Sequence, residues 1–237
     1  IWQGSFPKLA DDPEMDHDLF YGSYINTYLE RDVRILGQIG DLQRFFRFLR
    51  AAAARTGQLL NYSDLARDAD VAVGTAKNYL SILIASGLVT LLEPYFANRT
   101  KRMTQAPKLY FLDTGLCAYL TDWSSPETLE AGAIAGHIFE TWCFAEILKS
   151  YRNSGKRPAF YFYRDFDQVE IDLVIEQDGV LYPVEMKKSS DPGRDAAKHF
   201  SKLEKFGKKI GMGAVVCMVR ESSPLTRECK LIPAAGL

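Results

Sequence analysis

The stretch from residue 170 to residue 187 reads EIDLVIEQDGVLYPVEMK, and it decides the class of the C-terminal fold. Its two halves have the length and apolar content of strands, and the Gln-Asp-Gly between them predicts a tight hairpin turn. Because side chains alternate along a strand, Glu170 and Asp172 are expected on one face of the first strand. Glu185 and Lys187 share a face of the second strand. The hairpin therefore predicts two or three carboxylates and one ammonium within a small area.

This group of charges suits the hydrolysis of phosphodiesters. Neighbouring carboxylates raise one another's pKa unless they bind a cation, and Mg²⁺ or Mn²⁺ would suit Asp172, Glu185 and the backbone carbonyl of Met186. Such an ion activates a bound water and stabilises charge on a phosphate oxygen. Lys187 would position or deprotonate that water, or neutralise the transition state. Glu140, one turn into a predicted helix with apolar neighbours, needs a partner and is the fourth candidate.

Purely structural interpretations of the same residues also stay open. Acidic and basic residues are common on exposed hairpins, so the Asp-x(12)-Glu-x-Lys spacing alone also fits a solvated, salt-bridged hairpin. Glu170 is either a second metal ligand or a polar neighbour. His137 fits a packing role or a helix start better than a ligand role.

Upstream, residues 58–95 have the pattern of a helix-turn-helix. Ser63 is expected to cap a short helix, residues 70–72 form the turn, and a second helix follows. That helix should bury four apolar residues, namely Ala76, Leu80, Leu83 and Ile84. With a strand at 88–92, a basic hairpin-like segment at 98–102 and a strand at 108–112, this is the plan of a winged helix.

The winged-helix pattern carries candidate nucleic-acid contacts. The exposed side of its second helix offers Thr75, Lys77 and Asn78 to a DNA groove. The hairpin offers Arg99, Lys101 and Arg102 to phosphates. The alternative is a winged helix that serves only in packing or in protein interactions.

The remaining elements are predicted by periodicity and by turn residues. Helices are expected over residues 18–36, 41–55, 134–152 and 195–206. Strands are expected at 159–164, 170–176 and 180–187, with a buried central strand at 213–219 and a last edge strand at 230–232. The fold class is therefore α+β or α/β.

Composition limits the function classes. The chain has 237 residues, 47% hydrophobic and 25% charged, with a net charge of −1, so any nucleic-acid binding must use local basic patches. Its four cysteines include no C-x-x-C pair and predict buried free thiols in a reducing cytoplasm. No apolar run is long enough for a membrane span. The chain begins at Ile1 without a methionine, as expected of a piece of a longer protein.

The order Glu140, Asp172, Glu185-x-Lys187 resembles the PD-(D/E)xK nuclease superfamily, of the Holliday-junction-resolvase-like type. The wider chain resembles a prokaryotic family of AAA-superfamily ATPases that carry an uncharacterised C-terminal domain. The matching stretches are residues 24–33, 101–116, 161–165 and 170–188.

The resemblance implies a parent with an ATPase, a winged helix and a nuclease-like domain. On this basis residues 1–40 are a helical linker and the tail of the ATPase, 41–112 the winged helix, and 113–237 the nuclease-like domain. No G-x-x-x-x-G-K-[S/T] motif is present, so no ATP site is expected in this chain. The expected activity is Mg²⁺-dependent endonucleolytic cleavage of DNA. The alternatives are a catalytically inactive DNA-binding or regulatory module and a protein-interaction scaffold of the ATPase.

Overall fold

The computed structural model describes residues 1–12, 14–29, 31, 41–96, 105–157 and 159–237. Two compact units share the chain, and each is built from two separate segments. The first unit combines residues 1–91 with 109–141, and the second combines 92–108 with 142–237. This division describes compactness, so the domain ranges expected from the sequence stay a prediction.

The first unit is mainly helical. Its α-helices are α1 (Pro7–Asp11), α2 (His17–Tyr24), α3 (Leu42–Ala53), α4 (Tyr62–Ala69), α5 (Val73–Ala85), α6 (Thr114–Leu120) and α7 (Pro126–Ala131). A π-helical segment, Ile25–Leu29, continues α2. Helix α8 (Ala135–Asn153) starts in this unit and ends in the second.

Local sequence explains where these helices begin. The Asp41 carboxylate accepts the Arg44 N–H at 3.1 Å and starts α3. The Asn61 side chain accepts the Ser63 and Asp64 N–H groups at 3.0 and 3.2 Å and starts α4. The sequence predicted Ser63 as this cap and was wrong, because the amide two residues earlier already satisfies the free N–H groups.

A small sheet completes the first unit. Its strands are β1 (Gln58–Leu59), β2 (Val89–Leu92) and β3 (Lys108–Phe111), in the order β1-β3-β2. Phe45, Phe48 and Leu49 of α3 are fully buried in the core of this unit. On α5 the core face includes Ala76, Leu80 and Leu83 as predicted, but Ile84 is 40% exposed, and Tyr79 and Ile82 are buried instead.

The start of the chain is tied to the start of α6. The Tyr21 hydroxyl donates to Asp113 Oδ1 at 2.7 Å, and the Ser5 N–H donates to Asp113 Oδ2 at 2.6 Å. The same carboxylate caps α6 by accepting the Leu116 N–H at 2.7 Å. A side chain at Gly115 would lie 2.7 Å from the Gln3 carbonyl carbon, so only glycine lets these segments approach.

The second unit is built on a mixed sheet. Its strands are β4 (Ala159–Arg164), β5 (Glu170–Gln177), β6 (Val180–Lys187), β7 (Lys209–Ile210), β8 (Gly213–Cys217), β9 (Ser223–Thr226) and β10 (Cys229–Pro233). The order is β4-β5-β6-β8-β10-β9, with β7 paired to β6. Strands β4 to β6 are antiparallel, whereas β8 lies parallel to both β6 and β10. Ile171, Val174 and Val215 are fully buried in its core.

Two expectations for the second unit need correction. The helix predicted over 195–206 is instead two 3₁₀ segments, Arg194–Ala197 and Phe200–Phe206. Strand β10 was expected at the sheet edge, but β9 pairs with its outer side. The predicted strand at 213–219 is confirmed over Gly213–Cys217 and lies between two parallel neighbours, which explains its continuous apolar sequence.

All four cysteines are buried free thiols, as predicted. Within the described part of the chain, no helix has the length and apolar character needed to cross a membrane.

Candidate active site

The β5–β6 hairpin brings Asp172 and Glu185 face to face. Asp178 (φ 52°) and Gly179 (φ 77°) form the turn, and both have the left-handed backbone that a two-residue hairpin needs. This turn fixes the register, in which Leu173 pairs with Val184. One residue further along both strands, Asp172 lies opposite Glu185. The pairing of β5 with β6 ends at Leu173 and Val184, so the two carboxylates lie where these strands cease to pair.

The backbone of Met186 takes part in the site. Its N–H donates to Asp172 Oδ2 at 2.8 Å, in place of a ladder bond to β5. In an extended strand the N–H and C=O of one residue point to the same side, so the Met186 carbonyl is directed toward β5 as well. The sequence-based assignment of this carbonyl as a metal ligand therefore fits its direction.

Lys187 is the cation of the site. Its ammonium lies 2.7 Å from Glu185 Oε2 and 3.8 Å from Asp172 Oδ2. The two acids are buried, with Asp172 8% and Glu185 3% exposed, whereas the Lys187 side chain is 44% exposed. The three predicted residues of the hairpin thus meet at one place, with the carboxylates inside and the ammonium at the opening.

Burial changes the protonation of Glu185. Its pKa rises to about 9, mainly because burial penalises the charged carboxylate, and next because of the charge on Asp172. Lys187 opposes both effects. Burial, and next the charge on Glu185, raise the pKa of the Cys229 thiol to about 11. At neutral pH, and without a bound cation, Glu185 therefore carries a proton.

These donors fit a hard divalent cation. Two carboxylates and a peptide carbonyl are oxygen ligands of the kind that Mg²⁺ and Mn²⁺ prefer, and Mg²⁺ usually completes its shell with waters and substrate phosphate. An ion would also favour the ionised form of Glu185, against the effects of burial and of the charge on Asp172. Among the residues described, no group of three His, Cys, Asp or Glu side chains is placed to hold a metal. The fit therefore depends on the Asp172–Glu185 pair together with the backbone of Met186.

An open cleft of about 620 Å³ lies over this pair. One wall is the end of the β4–β5 turn, Asp167 to Glu170, and the other is the 3₁₀ region, which contributes Asp195, Lys198 and His199. The sequence did not single out these last three residues, because their grouping depends on the 3₁₀ conformation. Their only signal was the charged face of the predicted helix.

Glu170 has structural partners within the second unit. Arg164 Nη1 lies 2.8 Å from Glu170 Oε2, and Lys108, which is 3% exposed, pairs with Oε1. Both carboxylate oxygens thus face cations of the protein. This favours the polar-neighbour interpretation of Glu170 over the interpretation as a second metal ligand.

Glu140 belongs to the first unit and has the partner that its sequence context demanded. It is 8% exposed, and its Oε1 accepts the Tyr110 hydroxyl at 2.5 Å. His137 lies on the same helix beside Gly57, in agreement with a packing role. The catalytic role expected for Glu140 stays a prediction.

The candidate nucleic-acid contacts are only partly placed. Lys77 and Asn78 are exposed on α5 and Thr75 is half-buried there, while the Lys77 ammonium lies 5.4 Å from the centre of the Tyr62 ring. Arg99, Lys101 and Arg102 lie outside the described residues.

Comparison with known proteins places the chain among families without an assigned function. Residues 135–237 match the model of Domain of unknown function (DUF4143), which is typically a C-terminal domain of AAA-type ATPases. The chain is 34% identical over 186 residues to the uncharacterized proteins Rv2008c of Mycobacterium tuberculosis and Mb2031c of Mycobacterium bovis. The match covers 78% of this chain and 41% of each relative, so the chain spans less than half of their length. No solved structure matches. Residues 1–127 match the model of Domain of unknown function (DUF8612), and the chain belongs to that family.

Proposed function

We propose that the second unit is a metal-dependent endonuclease that cuts DNA phosphodiesters at the Asp172–Glu185–Lys187 site. The carrying observation is that the half-exposed Lys187 ammonium lies 2.7 Å and 3.8 Å from two buried carboxylates, over an open cleft. Burying two adjacent acids is unfavourable, and a site that binds a cation and a phosphate gives a reason for it.

Each residue has a role in this proposal. Asp172, Glu185 and the Met186 carbonyl would hold Mg²⁺ or Mn²⁺, and the bound ion would supply Lewis-acid activation of water and of the phosphate oxygen. The Met186 N–H orients Asp172 through its 2.8 Å hydrogen bond. Lys187, at the opening, can contact a non-bridging phosphate oxygen or the attacking water, and it can neutralise the charge that develops in the transition state.

The first unit supplies the proposed DNA-binding module. Helices α4 and α5 are joined by a short turn at Asp70, whose φ is 55°, and the sheet β1-β3-β2 belongs to the same unit. These features support a winged helix, with the exposed face of α5 as its recognition surface. The restriction-endonuclease-like fold of the second unit is likewise a proposal, supported by the placement of the acidic pair on a mixed sheet.

The longer parent is part of the proposal. We infer an N-terminal AAA-type ATPase domain as the partner in the same polypeptide, since the relatives are more than twice the matched length and DUF4143 typically follows such a domain. Four buried free thiols support a reducing, cytoplasmic location.

A second candidate function is binding without cleavage. Lys187 already lies within 3.8 Å of both carboxylates, so the site can be electrostatically satisfied without any ion. A nuclease fold in this state would recognise DNA or regulate the ATPase, and would leave the phosphodiester intact.

The test compares two pairs of variants on plasmid, linear, single-stranded and four-way-junction DNA, with Mg²⁺, Mn²⁺ or EDTA. Asp172→Asn is matched by Asp178→Asn in the exposed hairpin turn, where asparagine also tolerates a positive φ. Lys187→Ala is matched by Lys209→Ala, an exposed lysine on β7.

The proposal expects metal-dependent cutting that falls by about 100-fold or more in the two site variants and persists in the controls. If this chain and its longer parent both bind DNA but cut it with neither Mg²⁺ nor Mn²⁺, the binding function is favoured instead. If neither form bound or cut nucleic acid, cleavage and DNA recognition would both be rejected, and regulation of the ATPase would be the candidate left.

A further inference from the structure

Phe166 is the most exposed large apolar side chain of the described structure. It lies in the turn that joins β4 to β5, and its relative exposure is 104%. A phenyl ring in solvent gains none of the free energy that its burial would provide, so contact with another molecule would stabilise it.

The turn that carries this ring is well braced. The Asp165 N–H donates to the Val169 carbonyl at 3.1 Å, and Asp165 Oδ1 accepts the Val169 N–H at 2.9 Å. Asp165 Oδ2 accepts the Tyr163 hydroxyl at 3.2 Å, and that hydroxyl accepts from Lys205 at 2.7 Å. The backbone of the turn is therefore held from both sides, and Phe166 is presented at a fixed position.

That position is the rim of the candidate active site. Asp167, Gln168 and Val169, which directly follow Phe166, form part of the cleft wall above Asp172 and Glu185. The described lining of the cleft contains no phenylalanine, tyrosine or tryptophan, and its imidazole, that of His199, lies on the opposite wall from Phe166.

The charges around the ring indicate what it can bind. Asp165 and Asp167 flank Phe166 in the sequence, whereas the opposite wall carries both Asp195 and Lys198. The two neighbouring carboxylates disfavour a phosphate directly beside the ring, whereas the face of a nucleobase carries no net charge and stacks favourably on a phenyl ring. Bases inside a duplex already stack on each other, so such a ring meets a free base face only where the strand is unpaired.

We propose that Phe166 stacks on an unpaired nucleobase next to the scissile phosphate, which makes single-stranded or locally unpaired nucleic acid the substrate class of this site. The inference rests on the proposed nuclease function. It adds a substrate-positioning residue and a preference that the acidic pair alone does not provide.

The experiment measures binding in the Lys187→Ala background, which keeps both carboxylates and is expected to slow strand cleavage by about 100-fold or more. Fluorescent 30-nucleotide single strands and the matching duplex are titrated with Mg²⁺ at several salt concentrations. The variants are Phe166→Ala, Phe166→Leu and Phe166→Trp, with Leu237→Ala as the control for losing an exposed apolar side chain.

Alanine should weaken single-strand binding by about 5- to 150-fold, the effect of losing one stacked base, and duplex binding by less than about twofold. Leucine should behave like alanine and tryptophan like the parent, because stacking needs an aromatic face. The slope of log Kd against log salt should not change, since no charge is removed. With Lys187 restored, Phe166→Ala should raise KM for the single strand and leave kcat nearly unchanged.

Equal binding by Phe166→Ala and its parent, or equal losses on single strand and duplex, would overturn the inference even if cleavage is confirmed. If the parent neither binds nor cuts any nucleic acid, the proposed function fails and the inference fails with it. The ring would then be assigned to a protein contact.

Discussion

Glu185→Gln should make the stability of the protein less dependent on pH, in a direction fixed by the site. The Glu185 pKa is raised from 4.5 to about 9 in the folded protein. Between these values the folded state keeps a proton that the unfolded chain has lost. The contribution to stability is therefore complete below pH 4.5 and declines as pH rises toward 9, by about 1.4 kcal/mol per pH unit.

The isosteric amide cannot ionise, so its stability should not decline through this window. From pH 5 to pH 8 the wild-type protein should lose about 4 kcal/mol more than the Glu185→Gln variant, from three pH units at about 1.4 kcal/mol each. Urea unfolding with EDTA, followed by circular dichroism at each pH, gives this difference between the two proteins. Glu221→Gln, an exposed residue, controls for the lost charge.

Parallel stability curves for Glu185→Gln and the wild type across this range would refute the reasoning. They would mean that Glu185 ionises in the folded state as easily as in the unfolded chain, so that Lys187 outweighs burial. Saturating Mg²⁺ should reduce the wild-type decline if the proposed site is correct, because the ion replaces the proton.

Three further predictions test the packing, a helical position and a helix boundary. Gly213→Ala places a methyl group 2.6 Å from the Phe200 ring inside the sheet and should destabilise the protein by about 1–3 kcal/mol in urea unfolding. In Gly136→Ala the added methyl group on α8 meets no atom within 4 Å, so the variant should raise the free energy of unfolding by about 0.5–1 kcal/mol. A lower free energy of unfolding would contradict the helical conformation of residue 136. Asn61→Ala should cost about 1 kcal/mol as a lost cap, and Ser63→Ala clearly less; a reversed order would restore Ser63 as the cap.

Much of the second unit followed from the sequence because alternation and turn chemistry are local. The Asp178-Gly179 turn and its flanking apolar runs predicted the hairpin and its register, and register alone placed Asp172 opposite Glu185. The pairing of β8 with β6 could not be read from the chain, because a buried apolar run does not identify its neighbours.

The other cleft wall could not be predicted for a different reason. A helical pattern of charges over 195–206 does not distinguish an α-helix from 3₁₀ turns. The structure has 3₁₀ turns, and in that conformation Asp195 and His199 line the cleft. The partners of Glu170 were equally hidden, since Lys108 is 62 residues earlier in the chain. Ion pairs between residues that are far apart in the chain do not change the hydrophobic periodicity of the sequence, so they cannot be predicted from it.

The interleaved segments of the two units have a consequence for synthesis on the ribosome. The middle strand of the small sheet, β3, and the carboxylate that ties down residues 1–5 both come after residue 107. The first unit therefore cannot finish folding until residue 141 has left the exit tunnel, although its helices can form earlier. By then residues 92–108 of the second unit are already present and must wait for β4 and β5. We expect nascent chains stopped at residue 91 to remain protease-sensitive, and chains extended past residue 141 to gain protection.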